Sequence, residues 1–203
     1  MNLETTWAIS CARSHHESGR RSRRPVDQAD LIDLLRPGVD TKGGHWADLG
    51  AGEGAFTLAL AELLGPGAHI TAVDRDRHAL SALSRSMARR FPQTALVVQV
   101  ADFTKPLRLK NLDGVVMANS LHFVRDKRPV LQAVMAMLKA SGRLILVEYG
   151  AGRGNPWVPH PMTFATWSRT AEEAGLVGTV LLHTVPSRYF GSMYSAVSRR
   201  PAT

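Results

Sequence analysis

The chain contains one cysteine, Cys11, and that scarcity removes several chemistries at once. No disulfide can close within the chain, no thiolate metal cluster can assemble, and no mechanism needing two cysteines is available. Such cysteine usage suits a reducing compartment, so a cytoplasmic setting and no metal site are expected. Long apolar runs are missing too: nothing approaches the roughly 20 uninterrupted apolar residues of a membrane-spanning helix. The first residues, MNLETTWAISCARSHHESGRRSRR, place Glu4 where a secretory signal would be cationic. Their apolar run from Trp7 to Ala12 is short and broken by Ser10. Neither export nor a membrane partner is expected.

Acid is scarce relative to base, with 17 Asp and Glu against 25 Lys and Arg, a formal net charge of +8. Clustered cations can neutralise phosphates, so nucleic-acid affinity has to be weighed. Arg13, Arg20, Arg21, Arg23 and Arg24 crowd the first residues, and Arg199 and Arg200 sit at the far end. Two readings stay open: a basic terminus that aids solubility, or a polyanion-binding arm. Residues 1–26 are therefore read as a basic tail and 27–203 as one domain. With 44% apolar residues in 203, there is enough to bury one core and little for two.

From Gln28 onward, short apolar runs alternate with amphipathic stretches, the pattern of βαβ units and a parallel sheet. Seven strands are expected. They are His45 to Leu49, Ala68 to Val73, Ala95 to Val100, Leu112 to Ala118, Arg143 to Glu148, Val177 to Val185 and Tyr189 to Val197. Ala95 to Val100 reads as a β-branched run, as in a strand covered on both faces. Helices are expected at Asp30 to Leu35, Gly54 to Leu64, Arg77 to Arg90, Pro129 to Lys139 and Phe164 to Ala174, with Ser141-Gly142 stopping the fourth. The short Pro186-Ser187-Arg188 connection predicts an antiparallel terminal hairpin. Trp46 and Trp167 read as core.

The segment Asp48-Leu49-Gly50-Ala51-Gly52-Glu53-Gly54 lies between an apolar strand and an amphipathic helix. Glycines at alternate positions let the backbone turn sharply and admit a ligand to main-chain N–H groups. Asp74 follows Gly54 by twenty residues, at the end of the second strand, where a carboxylate can accept both hydroxyls of a ribose. Strand, loop, helix, strand and terminal acid together make a nucleoside-binding half. Gly50-x-Gly52-x-x-Ala55 also fits a loose dinucleotide pattern, but a pyrophosphate against this loop would meet Asp48. A cationic nucleoside would be favoured by the same carboxylate.

This segment resembles motif I of class I S-adenosylmethionine-dependent methyltransferases, whose glycine pattern it matches in full. The resemblance spans roughly Leu34 to Val197. It implies a Rossmann-like methyltransferase fold of the α/β class: a mostly parallel seven-stranded sheet, an antiparallel C-terminal hairpin and helices on both faces. It also implies S-adenosyl-L-methionine as cofactor and S-adenosyl-L-homocysteine as product. In the family Asp48 would lie near the methionine amino group, directly or through water. Gly50, Ala51, Gly52 and Gly54 would line the cofactor, Asp74 with Arg75 would serve the ribose end, and Asp102 and Phe103 would face adenine. Leu112 to Val124, which includes Asn119 and His122, is similar to the fourth-strand motif of the small-molecule branch that includes ubiquinone and menaquinone biosynthesis enzymes. That points to a small-molecule acceptor.

Direct displacement from a sulfonium needs the acceptor in line, and a base only where the acceptor holds a proton. His122, just past the fourth strand, is the candidate base; a packed or solvent-facing histidine is the alternative. Trp157, His160 and Met162, in a proline-rich loop, are candidates for the acceptor wall, with Tyr149 and Tyr189 weaker ones. A nucleic-acid methyltransferase is a competing reading. Yet Asn119-Ser120-Leu121-His122 stands where amino-nitrogen methylation of bases commonly uses Asn/Asp-Pro-Pro-aromatic, and Cys11 is far from the motifs. A non-catalytic S-adenosylmethionine-binding protein is the third, since a nucleoside site alone is binding and not chemistry.

Overall fold

The computed structural model of the protein describes residues 27–187 and 191–202. The basic tail, Cys11 and Tyr189 lie outside the described residues. A capping box opens the first helix, α1 (Gln28–Leu35). Asp27 and Asp30 exchange side-chain to backbone bonds and satisfy two of the N–H groups that a helix start leaves unpaired. There follow β1 (His45–Leu49), α2 (Ala55–Leu64), β2 (His69–Asp74), α3 (Arg77–Arg90), β3 (Ala95–Val100), β4 (Leu112–Ala118), α4 (Arg128–Met137), β5 (Leu138–Tyr149), α5 (Phe164–Glu173), β6 (Val177–Ser187) and β7 (Gly191–Arg199). The seven strands form one sheet in the order β3-β2-β1-β4-β5-β7-β6. The first five are parallel, and β7 runs antiparallel to both β5 and β6. The expected α/β architecture and terminal hairpin are therefore present.

Alternation along the strands divides the core in two. Trp46, Ile70, Val116, Ile145 and Val147 pack under α1, α2 and α3, whereas Ala47, Leu49, Val115, Met117 and Leu146 pack under α4 and α5. Trp46 and Trp167 are buried, one in each half. Because β1 connects to β2 on one side and lies against β4 on the other, the strand order reverses between β1 and β4. In open α/β sheets, ligands bind in the crevice at the carboxyl ends of strands at such a reversal.

Two local expectations need correction. β3 is not covered on both faces: it is an edge strand paired only to β2, and Val97, Val98 and Val100 are exposed. An apolar run cannot by itself distinguish a central strand from an edge strand. The fourth helix also ends earlier than expected, at Met137, because Leu138 already pairs with Leu112 as the start of β5. Ser141, at φ 58°, is then an irregularity within β5 and not a helix stop.

Candidate active site

The glycine loop runs from the end of β1 to the start of α2. Gly50 and Ala51 donate their N–H groups to the carbonyl of Val73 on β2 at 2.8 and 3.1 Å, which curls the loop over the sheet edge. At Gly50, φ is 84° and a Cβ would stand 2.4 Å from that of Ser120. At Gly54, φ is 89° and a Cβ would stand 2.1 Å from Leu83 Cδ1. Those two glycines are demanded by packing. Gly52 differs: its φ is 54°, yet a Cβ there would meet nothing within 4 Å, so the loop presents open backbone at this point.

Both acids that flank the loop have assigned partners. Asp74, at the end of β2, accepts the Gly52 N–H on Oδ2 at 2.8 Å and the Asp76 N–H on Oδ1 at 2.9 Å. Each carboxylate oxygen has two lone pairs, so one acceptor position per oxygen remains for a ligand hydroxyl. Asp48, on the face of β1 toward α2, is buried and accepts the Thr57 hydroxyl at 2.6 Å. Burial pushes its carboxyl up to about 6, the nearby Asp74 charge acts in the same direction, and the Thr57 bond opposes them. At the end of β3, Asp102 holds Thr104 through its backbone N–H and hydroxyl, which keep its carboxyl below the usual range; Arg75 acts in the same direction. Phe103 packs against the α4 and α5 half of the core, close to Gly50.

Across the strand reversal, Ser120 donates its hydroxyl to the carbonyl of Leu49 at 2.7 Å, tying the end of β4 to the end of β1. Asn119 occupies the left-handed region at φ 51°. Its Nδ2 faces Met193 Sδ at 3.4 Å, and its Oδ1 is buried without a partner among the described residues. An unpaired buried amide oxygen costs about 1–3 kcal/mol. A strained backbone carrying an orphan acceptor at this crevice is an observation that a donor-bearing ligand would explain.

His122 follows in the short turn Leu121–Phe123 and is buried. Its Nδ1 lies 2.7 Å from Glu148 Oε2, and its backbone N–H donates to Glu148 Oε1 at 3.0 Å. Glu148 is 0% exposed, near the end of β5. A carboxylate can only accept, so Nδ1 carries the hydrogen of this bond and Nε2 is the ring nitrogen left for a ligand. Glu148 was not singled out in the sequence. The only signal was a carboxylate in the apolar run Leu144-Ile145-Leu146-Val147-Glu148.

A cavity of about 660 Å³ opens beside this pair, lined by Asn119, His122, Phe123, Tyr149, Asn155, Trp157 and Val158. The His122 ring stands 4.3 Å from Phe123 and 6.1 Å from Tyr149, centroid to centroid. Asn155 accepts the N–H groups of Trp157 and Val158, both at 2.9 Å, and so fixes the turn that presents Trp157, which is 77% exposed. The structure thus brings Asn119, His122, Tyr149 and Trp157 together. His160 reaches this group only through its backbone, its N–H donating to the His122 carbonyl at 3.0 Å, and Met162 does not join it: Met162 is 2% exposed and belongs to the core, and both residues border a different cavity beyond the loop.

Comparison with known proteins agrees with this frame. Residues 47–144 match the family described as "Methyltransferase domain". The chain is 26% identical over 120 residues to "Probable cobalt-precorrin-6B C(15)-methyltransferase (decarboxylating)" of Thermoplasma volcanium, covering 59% of this chain and 58% of that one. It is 29% identical over 110 residues to "Ubiquinone/menaquinone biosynthesis C-methyltransferase UbiE" of Pasteurella multocida, covering 53% of this chain and 41% of the relative. The chain therefore spans about half the length of these two relatives. The fold is similar to that of a SAM dependent methyltransferase from Aquifex aeolicus, with a TM-score of 0.62 at 15% identity over 86% of this chain and 98% of that one. Among the described residues, no helix is long and apolar enough to cross a membrane.

Proposed function

We propose that the protein is an S-adenosyl-L-methionine-dependent methyltransferase that acts on a small-molecule acceptor in the His122 cavity. The observation that carries this reading is the adjacency, across one strand reversal, of a glycine loop with an acid-terminated second strand and a buried His122–Glu148 pair that opens on a cavity. The residues fit the cofactor. Asp74 retains free acceptor positions for ribose hydroxyls, Gly52 leaves the loop backbone open, and the orphan Oδ1 of Asn119 suits an N–H donor such as the methionine ammonium. Asp48 is close beneath the loop, where a cation would favour its charged form. Arg75, Asp102 and Phe103 belong to the third-strand side of the same crevice and are assigned to the adenosine end.

When bound, S-adenosylmethionine supplies a methyl group activated by a sulfonium. The chain supplies the rest. His122 Nε2 takes the proton from the acceptor atom, and Glu148 holds the ring in the tautomer that permits this and stabilises the charge that forms on it. Phe123, Tyr149 and Trp157 wall the cavity, limit water and align the acceptor. Both relatives described above are named as carbon methyltransferases, and a carbon acid is an acceptor that must lose a proton. A carbon adjacent to an electron-withdrawing group is accordingly the first acceptor class to try. The test is turnover of S-adenosylmethionine with a panel of carbon, hydroxyl and amine acceptors, followed by release of S-adenosylhomocysteine. Cofactor binding without turnover of any acceptor would leave a binding protein in place of an enzyme.

A further inference from the structure

A second cavity, of about 670 Å³, lies on the other side of the loop that carries Trp157. The two cavities share a wall, in which the His160 N–H donates to the His122 carbonyl at 3.0 Å. The second is lined by Arg125, Lys127, Arg128 and His160, and by Thr166 and Thr170 of α5. Methyl transfer as described above uses none of them.

Three cations within four residues converge on one concavity at the start of α4, and no acidic residue occupies the helix's first turn. Cations at a helix N-terminus face the positive end of its dipole, and Asp126, which accepts the Arg128 N–H there, sets one negative charge against three positive ones. Two carboxylates also border the cavity, and neither neutralises the cluster outright. Asp126 has Oδ1 engaged as acceptor for the Arg128 N–H at 3.1 Å, and Glu173 is exposed at the end of α5, where its main-chain carbonyl receives Arg128 Nη2 at 3.2 Å. Lys127 is the decisive residue. It is 9% exposed, and its ammonium donates to the Val124 carbonyl at 2.8 Å, which uses one of three N–H groups. Burial also lowers its pKa, although the charges of Glu148 and Asp126 act against that. A largely buried lysine with N–H groups to spare and two flanking guanidinium groups thus gather three positive charges against two carboxylates, beside the hydroxyls of Thr166, which is paired with that of Thr163, and Thr170.

We propose that this cavity is a binding site for a phosphate- or carboxylate-bearing small molecule, held by Arg125, Lys127 and Arg128. The site stands independently of the methyl-transfer reading. The anionic group has two candidate sources: a free anion, or the charged end of a molecule whose other end enters the His122 cavity.

Inorganic pyrophosphate is the first probe, titrated calorimetrically into the full chain at low ionic strength. Saturable binding at millimolar concentration or below is expected. Arg125→Gln and Arg128→Gln remove exposed charges outside the core, so both variants should fold, and each should weaken pyrophosphate by about tenfold, the loss of one charge-assisted bond. S-Adenosylhomocysteine affinity should stay within twofold in both. Lys127→Met should abolish pyrophosphate binding if it folds. 2-Naphthyl phosphate then separates the sources. If Trp157→Ala weakens it while leaving pyrophosphate unchanged, one molecule spans both cavities; if Trp157→Ala affects neither, the site takes a free anion. Either result supports the site. No saturable binding of pyrophosphate, or equal binding by wild type and both arginine variants, would overturn it, whatever the cofactor titration gives.

Discussion

Nδ1 of His122 and Oε2 of Glu148 lie 2.7 Å apart in a fully buried pair, although the two residues are 26 positions apart in the chain. The contact exists because β4 and β5 are adjacent and parallel, with Ala118 opposite Val147. The turn after β4 is thereby set against the end of β5. A histidine whose inner nitrogen is engaged by a carboxylate has its outer nitrogen oriented and free, which is the arrangement a general base needs.

Glu148→Gln tests that role. Glutamine keeps the shape but can offer its amide N–H to Nδ1, which would move the ring hydrogen to Nε2 and remove the base. Turnover should fall by about 100-fold or more, within the range general-base catalysis contributes. KM for the cofactor should change little, and His122→Asn should match it. A Glu148→Gln enzyme that retains turnover within threefold of wild type would reduce the pair to a packing feature.

Asp48 should make stability fall as pH rises. Its carboxyl is pushed up to about 6 in the folded protein, against an ordinary value near 3.9 in an unfolded chain. Between those values the folded state binds more protons than the unfolded one, so this group's contribution is fully present below about pH 4 and lost as pH passes 6. Two pH units correspond to about 3 kcal/mol at most. Asp48→Asn should therefore raise the thermal midpoint at pH 7.5 and have little effect at pH 4.5, while weakening S-adenosylmethionine at pH 7.5. A mutant that melts lower than wild type at pH 7.5 would contradict this assignment.

Gly52 and Gly54 should respond differently to alanine. At Gly54 the new Cβ would collide with Leu83, so Gly54→Ala should cost several kcal/mol or prevent folding, as core overpacking adds to backbone strain. At Gly52 there is room, so Gly52→Ala should cost about 1–2 kcal/mol for the left-handed conformation alone. Its larger effect should be on cofactor affinity, because the methyl group would stand on the open side of the loop. Thermal melts paired with S-adenosylhomocysteine titrations check both. Equal affinity in wild type and Gly52→Ala would mean that the cofactor does not approach this backbone.

Much of this fold was legible because local signals agreed. β1, α3 and β4 have the bounds their patterns predict, each marked by punctuating glycine or proline or by clear periodicity. The glycine loop and the three strand-end acids were legible for the same reason, since each is a local feature at a strand terminus. What escaped depended on pairing between distant segments. The exposure of β3 follows from its place at the sheet edge, which its own residues do not state. Glu148 acquires significance only from the β4 to β5 register. Met162 and Trp157 look alike as apolar loop residues, yet one enters the core under α5 and the other stands in solvent above the cavity. Asp48 reads in sequence as a ligand-facing acid, and only its bond to Thr57 shows that its carboxylate is held beneath the loop.

Asp74 carries the central claim, that this crevice holds S-adenosylmethionine. Since its carboxylate also ties down Gly52 and Asp76, Asp74→Ala should lower the thermal midpoint as well as affinity, and stability alone cannot decide the matter. The direct measurement is calorimetric titration of the wild type and Asp74→Ala with S-adenosylhomocysteine and with NAD, at a temperature where both proteins are folded. The wild type should bind S-adenosylhomocysteine at least 100-fold more tightly than NAD, a difference of about 2.7 kcal/mol. Asp74→Ala should lose between ten-fold and a few thousand-fold in S-adenosylhomocysteine affinity, as expected for one or two charge-assisted hydrogen bonds. Binding of NAD as tight as that of S-adenosylhomocysteine, or an affinity for S-adenosylhomocysteine unchanged in folded Asp74→Ala, would contradict the account.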